Sequence, residues 1–355
     1  MAGVINLADK YSSQVLERFF QDSYTQGSFS KKFDGEFIGV KSVRFHEVGT
    51  VPLVDYNRRG NGNRYGTPKD LTDVEYELPM EKDRSFSFVI DKGDMKEQMG
   101  IKKAGECLRR EMREVVTPEI DNYRMDRWAE KAGLHVALSA EPSKTTIVEN
   151  MLDANVALDE HNVPAEGRTF YINPKYYKFI KLASEWNNIE PLAAKALGKG
   201  IVGEFDGVPV KKIARMPANV YFMLVFKNAA ISPVKLHEYK MHTDPQGYSG
   251  ALVEGRFLYD AFVMPTMANG IYVACAAGKV CTKPTIAVSS HTVTLTAGSG
   301  ETIKYTLDGS DPRFSKTAIQ YDSSQKPTSA AGDTIRAAAF KSGMFWSDMA
   351  EAVDA

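Results

Sequence analysis

Two stretches that alternate apolar and polar residues, VKSVRFHEV at 40–48 and SFSFVI at 85–90, flank the segment DYNRRGNGNRYGTPKD at 55–70. Alternation of period two marks half-buried strands, and Gly, Asn and Pro between them mark turns. With three glycines, three asparagines and no apolar run, the intervening segment cannot make a core of its own. A loop of that length is uncommon inside a compact domain unless it works on something outside it. The pattern therefore predicts a long hairpin whose tip, with Arg58, Arg59, Arg64 and Tyr65, is either an intersubunit contact or a solvated loop without a partner. Guanidinium groups suit bidentate pairing, so carboxylates on a neighbouring chain are the expected partners.

The strongest helical segment runs from Asp94 to Lys131. Met99, Ala104, Leu108, Met112 and Val115 give it a broken apolar stripe. Its nine acidic and nine basic residues interleave, which reads as a solvated face or as a long helix facing neighbouring chains. Pro118 either kinks one helix or sits at the start of a second, with Thr117 as N-cap. Ahead of the hairpin, Leu7, Tyr11, Val15 and Phe19 recur every four residues, predicting a short helix over 8–20 and then an extended arm. From Thr145 to Tyr248, helices before Pro164 and after Pro174 alternate with short β-runs in no regular βαβ rhythm, which is an α+β pattern. Two further β-runs in GALVEGRFLYDAFVMPTMANGIYV join through a turn at Ala268–Gly270. Small residues at 274–284 read as a linker. Beyond it HTVTLTA, TIKYTL and TIRAAAF predict a small β-sandwich, with Asp308-Gly309 as a hairpin dipeptide.

Composition narrows the function. A chain of 355 residues holds two or three domains. Its 44 Lys+Arg against 45 Asp+Glu leave a charge of -1, which disfavours a protein that grips nucleic acid by neutralising phosphates. No apolar run is long enough to span a bilayer, and the first twenty residues lack the basic and apolar regions of a secretory signal, so no membrane partner is expected. Cys107, Cys275 and Cys281 make no disulfide framework; Cys275 and Cys281 could pair, but the expectation is two reduced thiols. His237 and His242 stand in H-E-x-x-x-H, one residue too long for the zinc motif. His46, His135 and His161 are isolated, and Cys107 sits on an apolar stripe where burial explains it. Neither a Gly-rich phosphate loop nor a G-x-S-x-G elbow occurs, and Asp308 and Asp311 are explained by the turn around them. The expectation is no catalytic residue, no metal and no cofactor. A structural or binding role remains.

The order of elements, with the wording INLADKYSSQVLERF, TVPLVDYNRRGNGNRYGTP, DRSFSFVIDKGD, TPEIDNYRMDRWAEKAG and GRFLYDAFVMPTMANGIYV, resembles the major capsid proteins of tailed bacteriophages with the HK97 fold. The resemblance implies an N-terminal arm (1–40), an E-loop (41–91), a P domain with the spine helix (92–135 and 249–275) and an A domain (136–248). A linker (276–282) and a C-terminal domain (283–355) would follow. The stretch IKYTLDGSDPRFS resembles the Ig-like module at the C-terminus of chitobiase and hexosaminidase-type proteins. Tyr305, Phe314, Tyr321, Phe345 and Trp346 could stack on sugars or fill its core, with Tyr321 and Trp346 the candidates for surface glycan contact.

The resemblance implies a subunit that self-assembles, as hexamers and pentamers, into an icosahedral or prolate shell around double-stranded DNA. A portal and a separate scaffolding protein would be partners, because the arm begins just after Met1 rather than after a long scaffolding segment. Assembly would take place in the bacterial host cytoplasm, and the Ig-like module would fold alone and face outward. A near-zero charge fits an inner wall that confines DNA without binding it tightly. The alternatives are an encapsulin-like compartment on the same fold, and a carbohydrate-binding adhesin or accessory module of a carbohydrate-active enzyme.

Overall fold

The computed structural model describes residues 23–32, 42–48, 51, 53–59, 62–68, 71, 73–92, 104–182, 201–243, 245–247 and 249–354. The helix expected over 8–20 and Met99 of the apolar stripe lie outside these residues.

Strands β1 (Ser42–Val48) and β2 (Asp73–Pro79) form the hairpin. Val43 stands opposite Leu78 and Phe45 opposite Tyr76. Val43, Leu78 and Met80 close a small core with Ile231 and Met264. The second strand of the hairpin is therefore DVEYELP and not the expected SFSFVI. Both alternate, but it is Tyr76 and Leu78 of β2 that are buried beside Val43 on this hairpin. SFSFVI lies in β3 (Lys82–Asp91), which pairs with residues 250–259 and stacks Phe86 on Phe257.

Helix α1 (Ala104–Glu111) passes through a π-turn (Met112–Val116) into α2 (Thr117–Glu130) without a break. Pro118 explains the π-turn. A proline inside a helix removes one N–H and crowds the carbonyl of the preceding turn, and a wider turn relieves the clash. Thr117 is not an N-cap; its backbone N–H and its hydroxyl both reach the Met112 carbonyl, the hydroxyl at 3.0 Å. The buried face also departs from expectation. Within α2 it comprises Asp121, Arg124, Met125, Trp128 and Ala129, so two of the charges read as solvated are inside.

The chain continues through β4 (Leu134–Ala137), α3 (Ile147–Glu160), β5 (Arg168–Ile172), α4 (Pro174–Leu182), β6 (Ile201–Phe205), β7 (Val208–Lys212) and β8 (Val220–Phe226). Then come β9 (Ala230–Ile231), β10 (Val234–Thr243), β11 (Gly250–Tyr259), β12 (Phe262–Val263), a 3-10 turn (Pro265–Gly270) and β13 (Ile271–Cys275). A six-stranded mixed sheet in the order β4-β13-β8-β5-β7-β6 forms the centre. Period two divides its side chains between two cores. Phe222 and Leu224 of β8, with Phe170 and Ile172 of β5, pack under α3 and α4. Met223, Val225 and Tyr171 face the other way, toward Met125 and Trp128 of α2. Beside it stands a three-stranded sheet, β10-β11-β3. Gly255 of β11 leaves room there for Phe86, whose ring a Cβ would approach to 2.5 Å and push aside.

The C-terminal region is all β: β14 (Thr285–Ser289), β15 (Thr292–Thr296), β16 (Thr302–Thr306), β17 (Ile319–Gln320), β18 (Thr334–Phe340) and β19 (Ala350–Val353). A pair, β14-β15, and a four-stranded sheet, β17-β16-β18-β19, enclose Val293, Leu295, Ile303, Tyr305 and Ile335. Asp308-Gly309 does not make a tight hairpin. Asp308 accepts bonds from Ser310 and Thr317, and the chain runs on as a loop to β17 at 319.

Candidate assembly elements

The hairpin tip has a defined local shape. The Asn57 N–H donates to the Arg64 carbonyl at 3.0 Å, the Gly66 N–H to the Asn63 carbonyl at 3.0 Å, and the Arg59 N–H to Asn57 Oδ1 at 3.2 Å. Tyr56 and Tyr65 meet edge to face with centroids 4.9 Å apart. Gly66 has φ +84° and sits so close to Val54 that a Cβ would lie 2.8 Å from its methyl, so a larger residue there is both strained and crowded. All four candidate contact residues project into solvent, Tyr65 with 84% of its surface exposed. Val48, Val51, Leu53, Val54 and Leu71 are exposed along the same hairpin. The chain thus gathers Arg58, Arg59, Arg64 and Tyr65 on one protrusion with an apolar flank.

A buried polar network holds residues 23–30 against α2. Asp121 accepts bonds from the Ser23 hydroxyl at 2.9 Å, the Tyr24 N–H at 3.0 Å and the Thr25 hydroxyl at 2.5 Å. Arg124 donates to Thr25 Oγ1 at 3.0 Å and to Ser232 Oγ at 2.7 Å, and its guanidinium lies over the Phe29 ring. Lys211 of β7 donates to the carbonyls of Tyr24 and Gln26 and to Ser28 Oγ. Burial pushes the pKa values of both Arg124 and Lys211 down, against the opposing pull of Asp121. Ser30 completes the attachment through a bridge to Ile231. Charge interleaving hid this network from the sequence reading. One signal was available: Asp121 and Arg124 are three apart, on the same side of the helix as Met125 and Trp128.

No curated protein matches the chain. In solved structures, a chain of Mycobacterium phage Che8 superposes with TM-score 0.63 at 16% identity, over 77% of this chain and 98% of that one. The capsid structure of the cyanophage P-SCSP1u gives TM-score 0.58 at 14% identity, over 77% and 93%. The mature capsid of bacteriophage PhiM1 gives 0.57 at 10% identity, over 77% and 92%. The body has the HK97-like capsid fold. Residues 283–351 match the Chitobiase/beta-hexosaminidase C-terminal domain family, so this capsid-fold body carries an Ig-like module at its end.

The module's aromatic residues divide by contact. Tyr305 is in its core, and Tyr321 packs edge to face on it at 6.3 Å. Trp346 stacks on Phe340 at 5.1 Å and lies under the Lys131 ammonium of the capsid-fold body. Phe314 and Phe345 pack against the body's own core. The structure does not bring Tyr321 and Trp346 into one contact. Both are half-buried.

Among the described residues no group of three His, Cys, Asp or Glu could hold a metal ion. His237 and His242 stand on strand β10 rather than on a helix. Cys275 and Cys281 are buried free thiols, and burial pushes them up to about 12 and about 11, so neither is a thiolate nucleophile. Among the described residues no helix is long and apolar enough to cross a membrane.

Proposed function

We propose that this protein is a structural subunit that self-assembles, as hexamers and pentamers, into the icosahedral or prolate capsid of a phage enclosing double-stranded DNA. It performs no catalysis. One observation carries the reading: a capsid-fold body bears a hairpin that holds Leu53, Val54 and Tyr65 in solvent beside three arginines. Exposed apolar patches of this kind are covered by partners in working proteins, and closed symmetry supplies identical partners at every position. Arg58, Arg59, Arg64 and Tyr65 are the contact residues of this E-loop tip, and the segment 23–30, held by Asp121, continues the arm. The portal, a separate scaffolding protein and packaged DNA are the accompanying partners, assembly takes place in the host cytoplasm, and the Ig-like module faces outward, where surface glycans are its candidate ligands.

Electron microscopy of the purified chain, expressed with and without a candidate scaffold, tests the proposal. Closed shells of uniform size are the expected result. A chain that stays monomeric at high concentration under both conditions would overturn it.

A further inference from the structure

The loop between β16 and β17 makes contacts that a tethered display module does not need. Arg313 binds its own Asp311 through two parallel bonds, Nε to Oδ1 at 3.0 Å and Nη2 to Oδ2 at 2.7 Å. Its remaining terminal nitrogen donates to the carbonyls of Ala132 at 3.3 Å and Gly133 at 3.0 Å, just past the end of α2. The Arg313 and Asp311 side chains are 3% and 8% exposed. The C-terminal end of a helix carries partial negative charge, which favours a guanidinium there, and the Ala132 and Gly133 carbonyls just beyond the helix gain a buried donor. Two residues back, the Asp311 N–H donates to the Tyr76 hydroxyl at 3.3 Å, and Lys316 forms an ion pair with Glu77.

Tyr76 and Glu77 belong to β2, the strand that returns from the exposed hairpin tip. The segment read as a linker is also tied. The Cys281 N–H donates to the Phe345 carbonyl at 3.0 Å, and the Phe345 N–H to the Lys279 carbonyl at 2.7 Å. The Phe345 ring stacks on His135 of β4 at 5.1 Å.

We infer that the Ig-like module has a second function, as an internal brace that locks the root of the β1–β2 hairpin to the C-terminal end of α2. The loop 307–318 is the part that does this. Through Arg313 it grips the helix end and through Tyr76 and Glu77 it grips the hairpin. The hairpin angle relative to the helix is then set by residues far away in sequence, and loosening the loop loosens both elements together. A buried ion pair is costly unless every remaining hydrogen-bonding group finds a partner. The two body carbonyls are what complete Arg313, so the pair is built for the docked state.

Hydrogen exchange on the unassembled full-length subunit tests this without requiring particles, so its failure and the failure of the shell proposal are distinguishable. In Lys316→Glu, amides at 73–79 should exchange at least threefold faster, and Glu77→Lys in the same chain should restore them. In Arg313→Gln, amides at both 73–79 and 128–134 should exchange at least tenfold faster, while those of the central strand β8 stay unchanged. Amides of β18 report whether the module itself remains folded. If Arg313→Gln unfolds the module and the hairpin root loosens with it, the brace stands. Unchanged exchange at 73–79 in both variants, or a protected hairpin beside an unfolded module, would overturn it.

Discussion

The six-stranded sheet and the β1–β2 hairpin are made of similar strands but solve opposite problems. In the sheet, alternate residues of β5, β8 and β13 fill two cores, and Phe222, Met223, Leu224 and Val225 are all fully buried. The hairpin buries Val43, Tyr76 and Leu78 at its root and leaves Leu53, Val54 and Tyr65 exposed at its far end. A strand buried on both faces is finished when the chain folds. In the proposed shell, the far end of the hairpin is finished by a neighbouring surface. Substitutions in the two regions should therefore separate folding from assembly.

The largest effect is expected in the sheet. Phe222→Ala removes a ring that touches Phe170 and Tyr272 and leaves a cavity between the strands and α3. Such truncations cost about 3–5 kcal/mol. Thermal melting of the isolated subunit should show that loss, and a variant that melts like the parent would mean this core is less well packed than its burial implies.

Next comes a pH effect at the junction of sheet and module. His135 donates from Nε2 to the Ala129 carbonyl at 2.7 Å, stacks on Phe345 and lies near Arg313. Burial above all, helped by the Arg313 charge, pushes its pKa down to about 4 from 6.5. The folded state therefore prefers the neutral ring. The cost of protonation is absent above pH 6.5 and grows as pH falls toward 4, where it reaches about 3 kcal/mol at about 1.4 kcal/mol per unit. Unfolding free energy measured from pH 7 to pH 4 should fall more steeply in the parent than in His135→Phe, by about one proton over that window. Parallel curves would show that His135 is not the group being titrated.

A smaller loss is expected where the arm is pinned. Asp121→Asn keeps the shape but removes the charge that holds Thr25, the Tyr24 N–H and Arg124. Bonds to charged groups contribute about 1.5–3 kcal/mol each, with part of the network surviving in the amide, so a loss of about 2 kcal/mol is expected in urea melts. Proteolysis should cut first near 23–32 if this network is what secures the arm. Cleavage elsewhere at the same rate as in the parent would point to Lys211 as the principal anchor.

How much of this could be seen in the sequence follows the same division. The sheet strands were legible because VYFMLVF and RTFYI are short apolar runs bounded by turn residues, and the helices because Pro164 and Pro174 punctuate them. The hairpin tip was legible through its glycines and asparagines. The partner strand was not, because DVEYELP and SFSFVI carry the same alternation and pairing is decided by which face finds a core. Asp121, Arg124 and Arg313 were missed for one physical reason. A buried charge looks like a surface charge in sequence, and only the partners contributed by distant segments distinguish them. The ties of the linker segment were hidden similarly: Lys279, Val280 and Cys281 are held by backbone bonds to Phe345, and backbone bonds leave no compositional trace.

The smallest effect on folding should accompany the largest on assembly. Arg58, Arg59 and Arg64 lie on the exposed tip, whose turn is held by backbone bonds and by Asn57. Reversing all three to Glu leaves the Tyr56–Tyr65 contact and the Gly66 turn in place, so subunit stability should change by no more than about 0.5 kcal/mol. In the proposed shell each exposed ion pair with a neighbouring chain would be worth only about 0–1 kcal/mol, but the contact would recur at every subunit. Circular dichroism and melting of the subunit should match the parent while closed particles fail to form. Particles of normal yield and normal salt resistance from the triple variant would shift the hairpin's function from its arginines to Leu53, Val54 and Tyr65. The variant Leu53→Asp would then be the one that blocks closure.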